Sequence, residues 1–469
     1  MISSRPNFYF LKLVLEAQSA HAIHTGHGDT THDSLIVRDA NGLPTLSGSS
    51  LAGVLRHQYQ QQFGEVSSNN LFGYAQGEKG QSSWLNISWG LVHNSKNQAH
   101  EGLISQASID QDQILSFLKD QKPIVRQRVR LTDLGVTEEA GKFDVTLVPA
   151  GTRYTTCLSY WCDGSDESKQ HWSHLLDLLD SHSLHLGQGT RSGYGLFKIV
   201  QMYQAHWDLT TVEGRQGYCQ RSRARTDHSG LREVVLAQQF LGSVTASLQL
   251  KAEAGWRIGG GEKYLENNQN DRIPDLLPMH ETKITWQNNQ ASLIKQDQYL
   301  LPATAIKGAI RHRVAYHYNC LNGLFAEDDG SLNTDQNPAV VKLFGYTQGQ
   351  QAQAGLLSFK DIYLTEQQVQ TMTHNKIDRY TGGVIRGALF SEVVLWQSEI
   401  HVEIDVLQPK VEIEPTIKQA LALSLEDLAQ GWLPLGASGS RGLGVFTDHT
   451  GCGTQWSDQQ QWLNAGVAQ

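Results

Sequence analysis

Two acids and four histidines crowd a short glycine-bearing stretch near the N-terminus, where Asp29 and Asp33 stand among His21, His24, His27 and His32. Just after them, Asn41-Gly42 and Pro44 mark a tight turn. Ser47, Ser49 and Ser50 are good N-cap types, and Leu51, Val54 and Leu55 follow at helical spacing. A helix entry rich in glycine and serine leaves backbone N–H groups free at its positive end, which suits phosphate. Arg56 lies past the first turn, on the polar side. Carboxylates and imidazoles beside a phosphate cradle are what phosphodiester chemistry needs, with His32 placed to assist proton transfer. The same residues also fit an ordinary turn entering an amphipathic helix. Histidine spacings of three set no unique coordination geometry, so a structural zinc is the weaker reading.

The elements that position these residues occur twice. SGSSLAGVLR at 47–56 returns as PATAIKGAIR at 302–311, and LFGYAQG at 71–77 returns as LFGYTQG at 343–349. The loop at 20–29 is echoed at 254–263, and GQGTRSGYG at 187–195 by GASGSRGLG at 436–444. Internal duplication follows. In each copy strands and helices alternate without a long parallel run, which predicts an α+β core ordered β-α-β-β-α-β, elaborated by insertions. The expected domains are 1–206 and 234–469. Between them lies a basic connector, 207–233, carrying Arg215, Arg221, Arg223 and Arg225, read as solvated rather than as an RNA-binding arm.

Two further features point to an anionic chain. KPIVRQRVR at 122–130 alternates valine and arginine, so a strand there carries Arg126, Arg128 and Arg130 on one face. In the terminal loops, Gly187, Gly189 and Gly436 allow close approach of backbone to phosphate, with Arg191 and Arg441 as charged donors. The loop at 187–195 precedes a strand instead of following one, so it is not a dinucleotide-cofactor loop.

The 469 residues suffice for two or three domains with sizeable cores. A net charge of −9 argues against coating naked nucleic acid and leaves room for one local basic groove. Five scattered cysteines offer no paired zinc-finger spacing and point to a reducing, cytoplasmic setting. No apolar run approaches membrane-span length, and MISSRPNFYF lacks the layout of a signal peptide, so no membrane partner is expected.

A strand, a glycine-rich loop, an acid and then P-x-x-x-G-S-S-L-x-G-x-L-R resembles the RAMP superfamily, above all the target-RNA-cleaving backbone subunit (Csm/Cmr-type) of type III CRISPR effector complexes. The resemblance covers the chain once per half. It implies two tandem ferredoxin-like (RRM-like) RAMP domains with insertions and thumb hairpins, the thumbs falling at 126–143 and 375–390, where Arg386 lies. It implies that Asp33, in Asp33-Ser34-Leu35-Ile36-Val37-Arg38-Asp39, is the cleavage residue, either as a ligand of Mg2+ or Mn2+ or as the group that organises proton transfer. It implies guide (crRNA) and target RNA as partners, with Ser49, Ser50, Arg56 and the basic residues above lining their groove. The other partners it implies are the large subunit, the small subunit and other backbone and cap subunits of the effector.

The second copy departs from the pattern. His280-Glu281-Thr282-Lys283-Ile284 is taken as the counterpart of His32-Asp33-Ser34-Leu35-Ile36, making Glu281 the second acid, with Asp271 or Asp275 as substitutes. Ala303-Thr304-Ala305 replaces the serines, while Lys307 adds a cation beside Arg311. The expected function is a metal-dependent endoribonuclease within a ribonucleoprotein. The alternatives are a non-catalytic scaffold that binds crRNA, or a metal-independent nuclease that processes repeat RNA.

Overall fold

The computed structural model describes residues 5–26, 35–77, 79–132, 135–181, 183–237, 244–259, 274–294, 298–325, 334–348 and 351–458. In the first half, strands β1 (Asn7–Ala17), β2 (Leu85–Ile87), β3 (Arg153–Cys162) and β4 (Leu196–Asp208) form an antiparallel sheet ordered β4-β1-β3-β2. Helix α1 (Gly48–Phe63) links β1 to β2, and α2 (Asp166–Ser181) links β3 to β4. The second half repeats this with β5 (Val244–Ala252), α3 (Ala303–Leu321), β6 (Leu357–Phe359), β7 (Glu399–Val406), α4 (Pro415–Ala429) and β8 (Phe446–Asp448). Its sheet runs β8-β5-β7-β6, the same order. Two β-α-β-β-α-β units with the first and third strands central are the ferredoxin-like arrangement.

Alternation explains β5: Val244, Ala246, Leu248, Leu250 and Ala252 are buried, and Gln249 is exposed on the other face. β1 is covered on both faces. Leu11, Leu13 and Leu15 enter the first core, while Lys12 is buried beneath residues 224–227, its Nζ donating to the Ala224 and Asp227 carbonyls. The expected solvated connector is therefore folded onto the first sheet. Its helix Val212–Gln220 lays Tyr218 against Phe8, Trp161 and Trp207, and Arg232–Glu233 pairs with β4. Buried aromatic area outweighs the cost of ordering a basic segment.

The repeated LFGYxQG is a helix-to-hairpin turn. Gly73 and Gly345 adopt φ of 77° and 89°, and a Cβ there would meet carbonyls of Gln81 and Gln353.

Each half inserts a hairpin between its second and third strands. These thumbs are Ile124–Leu131 with Thr137–Leu147, and Val369–His374 with Phe390–Trp396. The second half also lends its hairpin Lys283–Gln287/Gln290–Ile294 to the first core, where Ile284 and Ala291 are buried. Ile284 N donates to Ala150 O at 2.9 Å, and Trp286 Nε1 to Gly151 O at 2.7 Å.

Candidate nucleic-acid interface

The thumb of the first half lies across the helix entry of the second, enclosing a cleft of about 630 Å³. Arg128, Arg130 and Phe143 form one wall, Thr304, Lys307 and Arg311 of α3 the other, with Ser192, Gly436 and Ala437 of the two terminal loops at its ends. α3 begins after Pro302, which offers no side-chain cap. Asp361 replaces it, its Oδ1 accepting from Ala303 N at 2.8 Å.

Cations gather here from both halves. Lys307 donates to Ser192 Oγ at 3.2 Å, and its pKa is pushed down to about 8, first by burial and then by Arg128, Arg191 and Arg311. Burial also lowers the Arg191 pKa, and its buried Nε has no hydrogen-bond partner. Arg128 lies 5.1 Å from the Phe143 ring centre and 5.9 Å from that of Tyr194. Arg311 and Arg130 share Asp335, and Arg130 also pairs with Glu138 at 2.7 Å.

Arg126 departs from its neighbours on the strand. It is buried, with Nε 2.5 Å from Glu281 Oε2, Nη2 2.8 Å from Glu281 Oε1 and 2.8 Å from Asp361 Oδ2. Tyr363 OH adds a bond to Glu281 Oε1 at 2.8 Å. Burial opposes the charge, but Asp361 and Glu281 hold the guanidinium protonated well above its usual range. Two corrections follow: Arg126 is buried at the cleft with its charge engaged by carboxylates instead of open to RNA, and Glu281 is a structural counter-ion with both oxygens engaged.

Backbone ladders identify the true counterparts. Val37 N donates to Ile23 O at 2.8 Å, and Thr45 N to Val37 O at 3.2 Å; Met279 N donates to Ile258 O at 2.6 Å, and Leu300 N to Met279 O at 2.9 Å. Val37 thus matches Met279. Counting four residues back gives Asp33 and Asp275; counting two forward gives Asp39 and Glu281. Glu281 therefore corresponds to Asp39, whose Oδ1 caps the turn at Asn41 N and Leu43 N. Asp275 is exposed, and its Oδ2 accepts from Ser391 N of the second thumb at 2.8 Å. His32, Asp33 and Asp271 lie outside the described residues.

Other expected residues stand apart from this cleft. Ser50 bonds Ser47, the α1 N-cap, and Ser49 is exposed beside it; Arg56 donates to Asn69 Oδ1 at 2.9 Å. By the repeat these match Thr304, Ala305 and Arg311, but Ser49, Ser50 and Arg56 do not line this cleft. Arg386 and Arg441 are exposed on the second half. The loop glycines answer to the protein's own chain. A Cβ at Gly187 would lie 2.2 Å from Ala22 O, at Gly189 2.5 Å from Tyr194 Cδ2, and at Gly436 2.5 Å from Arg257 O.

Among the described residues no three His, Cys, Asp or Glu side chains converge to hold a metal, and the engaged Glu281 does not fit as a ligand. No helix among them is long and apolar enough to cross a membrane.

Residues 17–198 and 249–447 each match the RAMP superfamily. The chain belongs to the RAMP superfamily. Its two matches fall on the two sheets, so the tandem RAMP arrangement and the duplicated α+β fold coincide. Among solved structures 175 chains match. One, from a cryo-EM structure of type III-B Cmr-beta in the apo state, is 15% identical, is covered over 97% of its length and 41% of this chain, and has a TM-score of 0.31. Comparison with curated proteins found no match.

Proposed function

We propose that this RAMP protein is a double backbone subunit of a type III CRISPR–Cas effector that holds crRNA, pairs it with target RNA and cuts the target. The observation that supports this reading is the convergence of Arg128, Lys307 and Arg311 on one cleft from both halves, with Arg191 near Lys307. Cations packed this closely repel one another, and a polyanion relieves that repulsion. Among the described residues only Arg311 of the four has a carboxylate partner within ion-pair distance.

The cutting chemistry we assign is attack of the target's own 2′-hydroxyl on the adjacent phosphate, forming a 2′,3′-cyclic phosphate as the P–O5′ bond breaks and the 5′-oxygen leaves as a hydroxyl. A carboxylate organises proton transfer and cleft cations stabilise the phosphorane. Asp275 is the acid whose loop leads into this internal cleft, through Met279 on its wall. By sequence count Asp33 is its counterpart in the first half, where a neighbouring RAMP subunit would lay a thumb over α1. Mg2+ or Mn2+ remains part of this proposal, and chelation tests it.

The experiment is a product ladder from guide-matched RNA in the assembled effector with magnesium. Asp33→Ala and Asp275→Ala are each expected to delete one product while RNA stays bound, because a catalytic carboxylate stabilises the transition state more than the ground state. Chelator should abolish all products. An unaltered ladder for both variants would return the protein to a binding scaffold.

A further inference from the structure

The cleft wall continues past its cations. α3 presents Ala305, Ala309 and His312 to the cleft, and the next residue on that ridge is Tyr316, 56% exposed. A rise of 1.5 Å per residue places Tyr316 about 7–8 Å beyond Arg311 along the helix. Trp432 is 68% exposed and stands two residues before Pro434, which lines the cleft. Arg313 ties the two together: its Cζ lies 5.5 Å from the Tyr316 ring centre, and its Nη2 donates to Trp432 O at 2.9 Å. Asp427 balances that guanidinium at 2.7 Å and also meets His317 Nε2 at 2.7 Å. This end of the cleft therefore offers a phosphate little net charge, but it offers two exposed aromatic side chains.

We propose that Tyr316 and Trp432 form a stacking platform for an unpaired nucleobase of the RNA strand leaving the cleft. The proposal rests on the reading of that cleft as an RNA groove. The continuity of the ridge, the change from cations to aromatics and a guanidinium fixed between the Tyr316 ring and the Trp432 carbonyl select a base over a phosphate. Stacking accepts any base, because every base has a π-face, so the platform needs no hydrogen-bond code.

The test uses the intact chain and two labelled oligomers with the same number of phosphates, one of single-stranded oligouridine and one abasic. Fluorescence anisotropy reads both affinities. Wild type is expected to prefer oligouridine. Trp432→Ala and Tyr316→Ala should each weaken oligouridine binding about fivefold or more. Neither should change abasic binding or the salt slope, and Trp432→Phe should keep most of the preference. Lys307→Ala should weaken both oligomers. Both aromatics are exposed, so unchanged melting temperatures verify the folded state. If Lys307→Ala weakens binding while the aromatic variants match wild type, the platform is overturned and the groove stands. If wild type binds neither oligomer, the groove reading fails and the platform with it.

Discussion

Lys307 carries a charge that the folded protein discourages. Its pKa of about 8 means the free amine loses its proton as pH passes that value, whereas RNA phosphates would hold the proton to higher pH. Binding above pH 8 therefore takes up a proton and weakens. RNA affinity should fall more steeply from pH 7 to 9 for wild type than for Lys307→Arg; equal slopes would exclude this role. For folding alone the sign is opposite. Between about 8 and the ordinary value the unfolded chain binds more protons, so stability should rise with pH across that window. Arg126 and Glu281 make a different case, a buried bidentate pair with neither side chain open to solvent. Removing Glu281 breaks the bidentate pair and leaves Arg126 to Asp361 alone, which costs up to about 3–5 kcal/mol. Urea denaturation of Glu281→Ala should show a loss of that order, while Asp275→Ala, at an exposed site, should leave stability nearly unchanged. A stable Glu281→Ala protein with only a cleavage defect would contradict the counter-ion role.

At the scale of elements, the first terminal loop is a joint between halves. Ser192 bridges to Phe359, and Gly193, at φ 90°, would place a Cβ 2.4 Å from the Ala303 Cβ at the start of α3. Gly193→Val adds backbone strain and a clash in the contact that sets the cleft width. It should lower the melting temperature and weaken RNA binding together. Gly42→Ala is the control, because Gly42 has φ of 76° but nothing within 4 Å of a Cβ. It should cost only the strain, about 1–2 kcal/mol, and leave RNA affinity intact. Identical behaviour of the two variants would show that the loop does not position α3.

Across the whole molecule, the hairpin 283–294 makes the halves interdependent. Ile284 and Ala291 belong to the first core by packing and to the second half by sequence. A buried isoleucine contributes roughly 1.5–3 kcal/mol, and the Arg126–Glu281–Asp361 cluster crosses the same boundary. Co-expressed segments 1–237 and 244–469 should therefore purify as one complex, and Ile284→Asp should separate them on size exclusion. Separation of the unmodified segments would show that the covalent link, not the packing, holds the cleft closed.

The sequence alone determined the duplication, the β-α-β-β-α-β order in each half and the cations Arg128, Arg191, Lys307 and Arg311. Repeats, alternation and helix entries are local signals, and these residues sit inside them. Tertiary structure decided what depends on distant partners. Arg126 and Arg128 share one strand face, yet only Arg126 is buried, because carboxylates 155 residues or more away close over it. Residues 207–233 read as solvated because the aromatic surface that binds them lies on β1, β3 and β4. Glu281 looked like the second acid because an insertion blurs the alignment before it. The pairing of Met279 with Ile258 and Leu300 reassigns that register to Asp275. Register between segments is set by which apolar faces pack and by the turns that join them, and those partners lie far apart in the sequence.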